Sequence, residues 1–240
     1  MDMFSVSVCI ATYNGAGFIK EQLDSILMQI PATAEVLIGD DGSVDETISI
    51  VEGFNDPRIR VIRNSSNLGY VRNFENLIGN ARGDYIFLSD QDDIWPAGRV
   101  DKMISAMDSS QSFLVVGGME SFVDDVESRH FFCGFDASRN TTPIRNVVDM
   151  FVGKSVPYYG CAMLLSQKIK PYLIPFHSAA ISHDIWIAFV ANRRRSITHI
   201  IDAVTLRRIH GSNLTNSNRS FVDKIKTRLL WVFAILRLYK

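Results

Sequence analysis

Tyr85-Ile86-Phe87-Leu88-Ser89-Asp90-Gln91-Asp92-Asp93-Ile94-Trp95-Pro96 joins an apolar run to an acidic turn. An apolar run of this length ahead of a polar turn reads as a buried strand ending at a loop. Three carboxylates then fall within four residues, and carboxylates crowded at a strand end repel one another unless a cation or positive groups compensate. A hard divalent cation with oxygen ligands is the simplest compensation. The same residues also fit a solvated acidic turn ahead of a helix, with Asp93 as its N-cap and Pro96 in the first turn. On either account the acidic cluster lies where open α/β sheets bind ligands.

Outward from this stretch the chain alternates. Residues 4–11, 35–39, 58–63 and 84–88 are short runs with strand character. Between the first two, Phe18, Ile19, Leu23, Ile26 and Leu27 recur at helical spacing, and further helices are expected over about 44–54 and 71–80. Ser43 is placed to cap the second helix, with Glu46 at capping-box distance. Strand–helix alternation with connections this short implies a parallel, doubly wound α/β sheet. The polar clusters at 12–15, 40–43 and 89–93 all fall at carboxyl ends of strands, which points to a single site. Beyond Trp95 the expected elements are a helix near 97–108, a strand at 113–118, an irregular run over 119–142 and a helix at 146–152. A buried strand at 160–166, a helix at 182–192 opening with His183-Asp184, and a strand at 196–205 follow.

A chain of 240 residues fits one large domain, or one with a small appendage. With 47% apolar and 21% charged residues it is neither disordered nor a fibrous repeat. A net charge of -1 gives no reason to expect nucleic-acid binding. Cys9, Cys133 and Cys161 lie far apart and form no CxxC pair, so neither a zinc site nor a disulfide framework is expected, and a reduced, cytosolic setting is. The chain enters its first strand without a signal-peptide pattern, and no apolar run approaches the ~18 residues that span a bilayer. Residues 220–240 differ from the rest. Phe221, Ile225, Leu229, Val232, Phe233 and Leu236 form one helical stripe, with Lys224, Lys226, Arg228, Arg237 and Lys240 beside it. Such a basic amphipathic helix suits a membrane interface; docking on the domain or on a second copy stays open.

Gly15-Ala16-Gly17 after the first strand, with Asp40 ending the second, has the outline of a dinucleotide fingerprint, but Lys20 stands where its third glycine belongs. No Walker lysine loop occurs. Asp40 and Asp41 at the sheet edge suit a base or ribose, while a metal near Asp90 and Asp92 would take a diphosphate; a helix N-terminal charge pair is the alternative for Asp40-Asp41. Asp184, in the first turn of its helix, is either a dipole partner or a carboxylate able to take a proton from an attacking hydroxyl. His210 beside Arg207 and Arg208 is a loop histidine, a metal ligand or a diphosphate partner.

Together these segments resemble the inverting family 2 glycosyltransferases of the GT-A fold. The resemblance is carried by residues 6–15 (VSVCIATYNG), 40–47 (DDGSVDET), 67–69 (NLG) with Asn73, 83–95 (GDYIFLSDQDDIW), 160–163 (GCAM), His183-Asp184 and Arg208-Ile209-His210. The SDQDDIW form is most similar to the bacterial branch that builds O-antigen and capsule glycans, including rhamnosyltransferases. What it implies is a GT-A sheet with a nucleotide-sugar-binding half at 1–110, an acceptor-binding and catalytic half at 111–218, and the terminal helix at 219–240.

The resemblance further implies that Thr12, Tyr13, Asn14, Asp40, Asp41, Arg72, Asp90, Gln91 and Arg208 contact the nucleotide sugar. Asp92 and His210 would hold Mg²⁺ or Mn²⁺, and Asp184 would be the general base. Tyr159 and Trp186 are offered for acceptor stacking, with a core role as their alternative. The family often carries Tyr-Arg before its x-His, and here the Tyr position is Arg207. The implied reaction moves a sugar from dTDP-rhamnose or a UDP-hexose to a hydroxyl of a glycan, lipid-linked if residues 220–240 lie on the cytoplasmic face of the inner membrane. A sugar-nucleotide nucleotidyltransferase would want a glycine-rich, arginine-containing N-terminal loop that is missing, and an idle sugar-nucleotide-binding subunit would not need Asp92, Asp184 and His210 together.

Overall fold

In the computed structural model the described residues are 5–123, 125–131, 137–152, 157–178, 180 and 182–211. The helix expected over 220–240 lies outside them. Strands are β1 (Val6–Thr12), β2 (Glu35–Asp40), β3 (Ile59–Arg63), β4 (Tyr85–Asp90), β5 (Leu114–Val123), β6 (Asp125–Phe131), β7 (Met163–Ser166) and β8 (Ile197–Arg208). Helices are α1 (Ile19–Leu27), α2 (Thr47–Gly53), α3 (Gly69–Asn80), α4 (Arg99–Ser110), α5 (Pro143–Val152), the single turn α6 (Lys170–Leu173) and α7 (His183–Arg193).

The strands form one sheet in the order β3-β2-β1-β4-β7-β5-β6, with β8 beside β5. β3, β2, β1 and β4 run parallel, β7 runs antiparallel to both its neighbours, and β8 runs parallel to β5. Side-chain alternation along these strands divides the interior in two, as the period of a strand requires. Cys9, Leu37, Ile86 and Leu88 face one way and pack with Phe74, Leu77 and Ile78 of α3 and with α7. Val8, Ile10, Val36, Ile38 and Phe87 face the other way and pack with Leu23 and Ile26 of α1, Val51 of α2 and Met103 of α4. Each such side chain contributes about 1.5–3 kcal/mol on burial. Helices on both faces of a largely parallel sheet are the doubly wound α/β arrangement expected from the alternation.

Four local expectations are corrected. The run from 119 onward is not irregular: β5 continues to Val123 and pairs antiparallel with β6. Its second strand, rich in charged and polar residues, carries no apolar period by which to find it. Gly160–Ala162 is a short 3-10 turn, and the strand after it begins only at Met163. Ser43 does not cap α2, which starts at Thr47, because its hydroxyl accepts the Asn14 backbone N–H (2.9 Å). Asp93 does not cap α4, which starts at Arg99 behind Gly98. Instead Ile94 exchanges both backbone hydrogen bonds with Leu206 of β8 (2.9 Å each), so the chain after the acidic turn runs extended along β8 before it can turn into a helix.

Candidate active site

The carboxyl ends of β2, β1 and β4 lie side by side. Register pairs Thr12 with Asp40 and Ala11 with Asp90, so three of the expected residues share one sheet edge. Tyr13 is half exposed at this edge (50%). Thr12 is buried, and its hydroxyl oxygen has no hydrogen-bond partner among the described residues. Asp40 is buried too, and accepts only long contacts from the Ser43 N–H (3.3 Å to each oxygen). Acceptors this lightly used can still take donors from a ligand.

At the end of β4, Asp92 Oδ2 meets His210 Nε2 at 2.9 Å, and the imidazole stacks on Phe18 with ring centres 4.4 Å apart. Two residues 118 apart in sequence thus form one carboxylate–imidazole pair. Asp90 has its carboxyl pushed well above the ordinary carboxylate range by burial, then by the charges of Asp93, Asp92 and Asp184, with Arg207 opposing. Asp184 is therefore near enough to the β4 end to be felt there, although β4 and α7 are far apart in sequence. Burial and then Asp92 push Asp93 up to about 7.

Beneath these acids lies Arg99, fully buried. Its guanidinium donates to Leu88 O (3.1 Å), Val204 O (2.7 Å) and Thr205 Oγ1 (2.5 Å), and its Cζ sits 4.1 Å from the Trp95 ring centre. Burial lowers its pKa to about 9, which Asp93 and Asp90 partly offset.

On the α7 side, His183 stacks on Phe74 (4.0 Å between ring centres) and fits only because Gly160 lacks a side chain: a Cβ there would stand 2.1 Å from His183 Nε2. This wedge fixes the first turn of α7, and with it Asp184. Burial holds the imidazole below its usual pKa, so the charge next to Asp184 is absent at neutral pH.

A family model described as glycosyl transferase family 2 matches residues 7–169. The chain belongs to this family. It is 30% identical over 241 residues to the dTDP-rhamnosyl transferase RfbG of Shigella flexneri, covering 90% of this chain and 77% of that one. It is 32% identical over 120 residues to the UDP-Glc:alpha-D-GlcNAc-diphosphoundecaprenol beta-1,3-glucosyltransferase WfgD of Escherichia coli, covering 50% of this chain and 47% of WfgD. Among solved structures, S. aureus TarS 1-349 in complex with UDP-GlcNAc superposes with a TM-score of 0.74 at 21% identity, covering 95% of this chain and 66% of that one. The mannosyltransferase PcManGT from Pyrobaculum calidifontis, in complex with GDP-Man and Mn²⁺, gives 0.61 at 19% identity, covering 87% and 58%. These likenesses establish the GT-A fold. The chain spans less than half of WfgD and under two thirds of PcManGT.

Within this family 2 site several of the expected ligand residues also make contacts within the protein. Gln91 clasps the Tyr13 backbone, accepting its N–H (2.9 Å) and donating to its carbonyl (3.2 Å), across a Gly15 whose Cβ would lie 2.4 Å from Gln91 Oε1. Asn14 accepts the Val44 N–H (2.9 Å) through its side chain and so ties the β1 loop to the β2 loop. Arg72 pairs with Glu75 and donates to Phe176 O (3.3 Å), holding the segment before α7. Arg208 pairs with Glu21 of α1 and lies 4.7 Å from the Phe122 ring centre. Trp186 is core: it is 4% exposed, its indole N–H donates to Leu173 O (3.2 Å), and it offers no face to an acceptor.

Tyr159, partly buried, has the Arg207 guanidinium 6.0 Å from its ring centre. Arg207 thus links it to the acid cluster, whose Asp90 and Asp93 feel the same charge. Arg99, Arg207 and Cys161 were not assigned to the site from sequence. The family's Tyr position, held here by Arg207, and the GCAM segment are the signals that could have found the last two.

Asp41 has the fullest set of partners. Its carboxylate accepts the backbone N–H groups of Leu68 (2.7 Å) and Gly69 (2.8 Å) and the Asn64 amide (3.1 Å), so it holds the start of α3. Asp41→Asn is expected to lower stability by about 1–3 kcal/mol, since an amide cannot serve all three donors. Urea unfolding, run beside Asp40→Asn, checks this. An Asp41→Asn chain as stable as the unaltered one would contradict this structural role.

Proposed function

We propose that this family 2 enzyme is a metal-dependent, inverting glycosyltransferase that moves a sugar from a nucleoside-diphosphate sugar to a glycan hydroxyl. The observation that carries the reading is the Asp92–His210 pair at the end of β4, beside Asp90, whose carboxyl is pushed up by burial and by the charges of Asp93, Asp92 and Asp184. Tyr13, Thr12 and Asp40 would receive the base and ribose: an exposed ring for stacking, a buried hydroxyl without a partner, and a lightly used carboxylate.

Asp92 and His210 fit Mg²⁺ or Mn²⁺. One hard oxygen donor and one imidazole, already adjacent, leave the rest of a coordination shell to diphosphate oxygens and water, as such ions prefer. A cation bound there neutralises charge on the diphosphate leaving group. PcManGT was solved with Mn²⁺, which supports the assignment.

Asp184 takes the proton of the acceptor hydroxyl while its oxygen attacks the anomeric carbon. The bond to the diphosphate breaks on the opposite face, so the configuration inverts. The Phe74–His183–Gly160 wedge keeps the base in place and leaves it beside a neutral ring. The likeness to RfbG supports dTDP-rhamnose as donor, with a UDP-hexose as the alternative that the likeness to WfgD favours. A lipid-linked glycan acceptor, with Tyr159 at its subsite, accords with the diphosphoundecaprenol in WfgD's name. Residues 220–240 would then rest on the cytoplasmic face of the inner membrane. Among the described residues no helix is long and apolar enough to cross a membrane.

Asp184→Asn is expected to lower turnover by about 10²–10⁴-fold while calorimetry finds donor binding nearly intact; an equal loss of binding would sink the base assignment. Asp92→Ala should abolish the Mn²⁺-dependent part of nucleotide affinity, and full activity in EDTA would refute the metal role. Anionic liposomes should sediment the full chain but not one lacking residues 220–240, and identical sedimentation of the two would remove the membrane contact.

A further inference from the structure

Asp90, Asp93 and Cys161 each present one donor atom, and the three atoms lie within 4.8 Å of one another. Asp93 and Cys161 are 2% and 3% exposed. The thiol donates to Met119 Sδ (3.9 Å), and Asp93 Oδ2 is buried with no hydrogen-bond partner among the described residues. A buried carboxylate oxygen left in this state costs about 1–3 kcal/mol or more, and it points to a missing positive ligand. From the cluster's composition, we propose that Asp90, Asp93 and Cys161 form a second cation site, selective for a thiophilic divalent ion of the zinc type.

The donor chemistry argues for the ion. A thiolate with carboxylates suits zinc, whereas magnesium avoids sulfur. Zinc sits about 2.0–2.3 Å from oxygen and sulfur donors, roughly half the span of this cluster, so small side-chain rotations close the shell. Three protein donors leave a fourth position open. Binding would expel the thiol proton to solvent. Arg99 and Arg207 supply positive charge against the remaining negative charge, as their opposing effects on Asp93 indicate. The site shares Asp90 with the proposed donor site, so occupancy by a thiophilic ion withdraws a carboxylate from the nucleotide sugar and makes the ion an inhibitor.

The test needs no sugar nucleotide, so its failure is distinct from failure of the proposed activity. Cd²⁺ titration of the metal-free full chain is expected to give a saturable sulfur-to-cadmium charge-transfer band in the ultraviolet. Zn²⁺ should displace it and excess Mg²⁺ should not. The band should vanish in Cys161→Ser, persist in Cys133→Ser, and need about tenfold more Cd²⁺ or more in Asp93→Asn. Asp90→Asn, at a less buried position, gives the same reading if Asp93→Asn does not fold. No band in the wild type, a band that survives Cys161→Ser, or unchanged affinity in a folded carboxamide variant would each overturn the proposal.

Discussion

Everything at the sheet edge depends on one buried guanidinium. Arg99 ties Leu88 near the end of β4 to Val204 and Thr205 of β8, with Trp95 stacked over it. Without it, Asp93 would lose one of the two cations, Arg207 and Arg99, that oppose its upward shift, and a buried acid with less compensation is costly. With it, the acids can be crowded closely enough to act on one ligand. The arginine is held by three acceptors, two of them backbone carbonyls, so its position is fixed by the sheet itself. The crowding is thus a property of the fold rather than of a flexible loop.

Much of the fold was legible because its signals are local. Apolar runs and helical spacing mark β1 to β4 and α1 to α4, and the alternation between them implies a parallel, doubly wound sheet. The hairpin of β5 and β6 was not legible, since a strand rich in polar residues has no pattern to recognise. The antiparallel insertion of β7 between β4 and β5 was equally silent, because strand direction is decided by distant partners.

The site divides along the same line. Residue types with an unusual chemical demand, such as Asp92, Asp184 and His210, could be singled out and were brought to one edge or to its neighbourhood. Polar residues of similar type beside them, Asn14, Asp41 and Gln91, also hold loops. Sequence does not show which backbone N–H groups an acceptor will meet. Asp40 and Asp41 are adjacent, yet only Asp41 accepts the N–H groups at the start of α3. Cys161 is the converse case. No CxxC spacing marks it, yet its companions in space, Asp90 and Asp93, come from the β4 end.

The Ile94–Leu206 bridge carries a further implication for how the molecule is made. It joins the acidic turn to the last described strand, and the Asp92–His210 pair closes a loop of 118 residues. Closing so long a loop is entropically unfavourable until the intervening elements are in place. During synthesis the strands β1 to β4 can collapse early, but the acid cluster gains Arg207 and the His210 imidazole only when β8 docks. The Asp92–His210 pair is therefore a late contact. An emerging chain that has not yet delivered β8 holds the acidic turn without the imidazole that meets it.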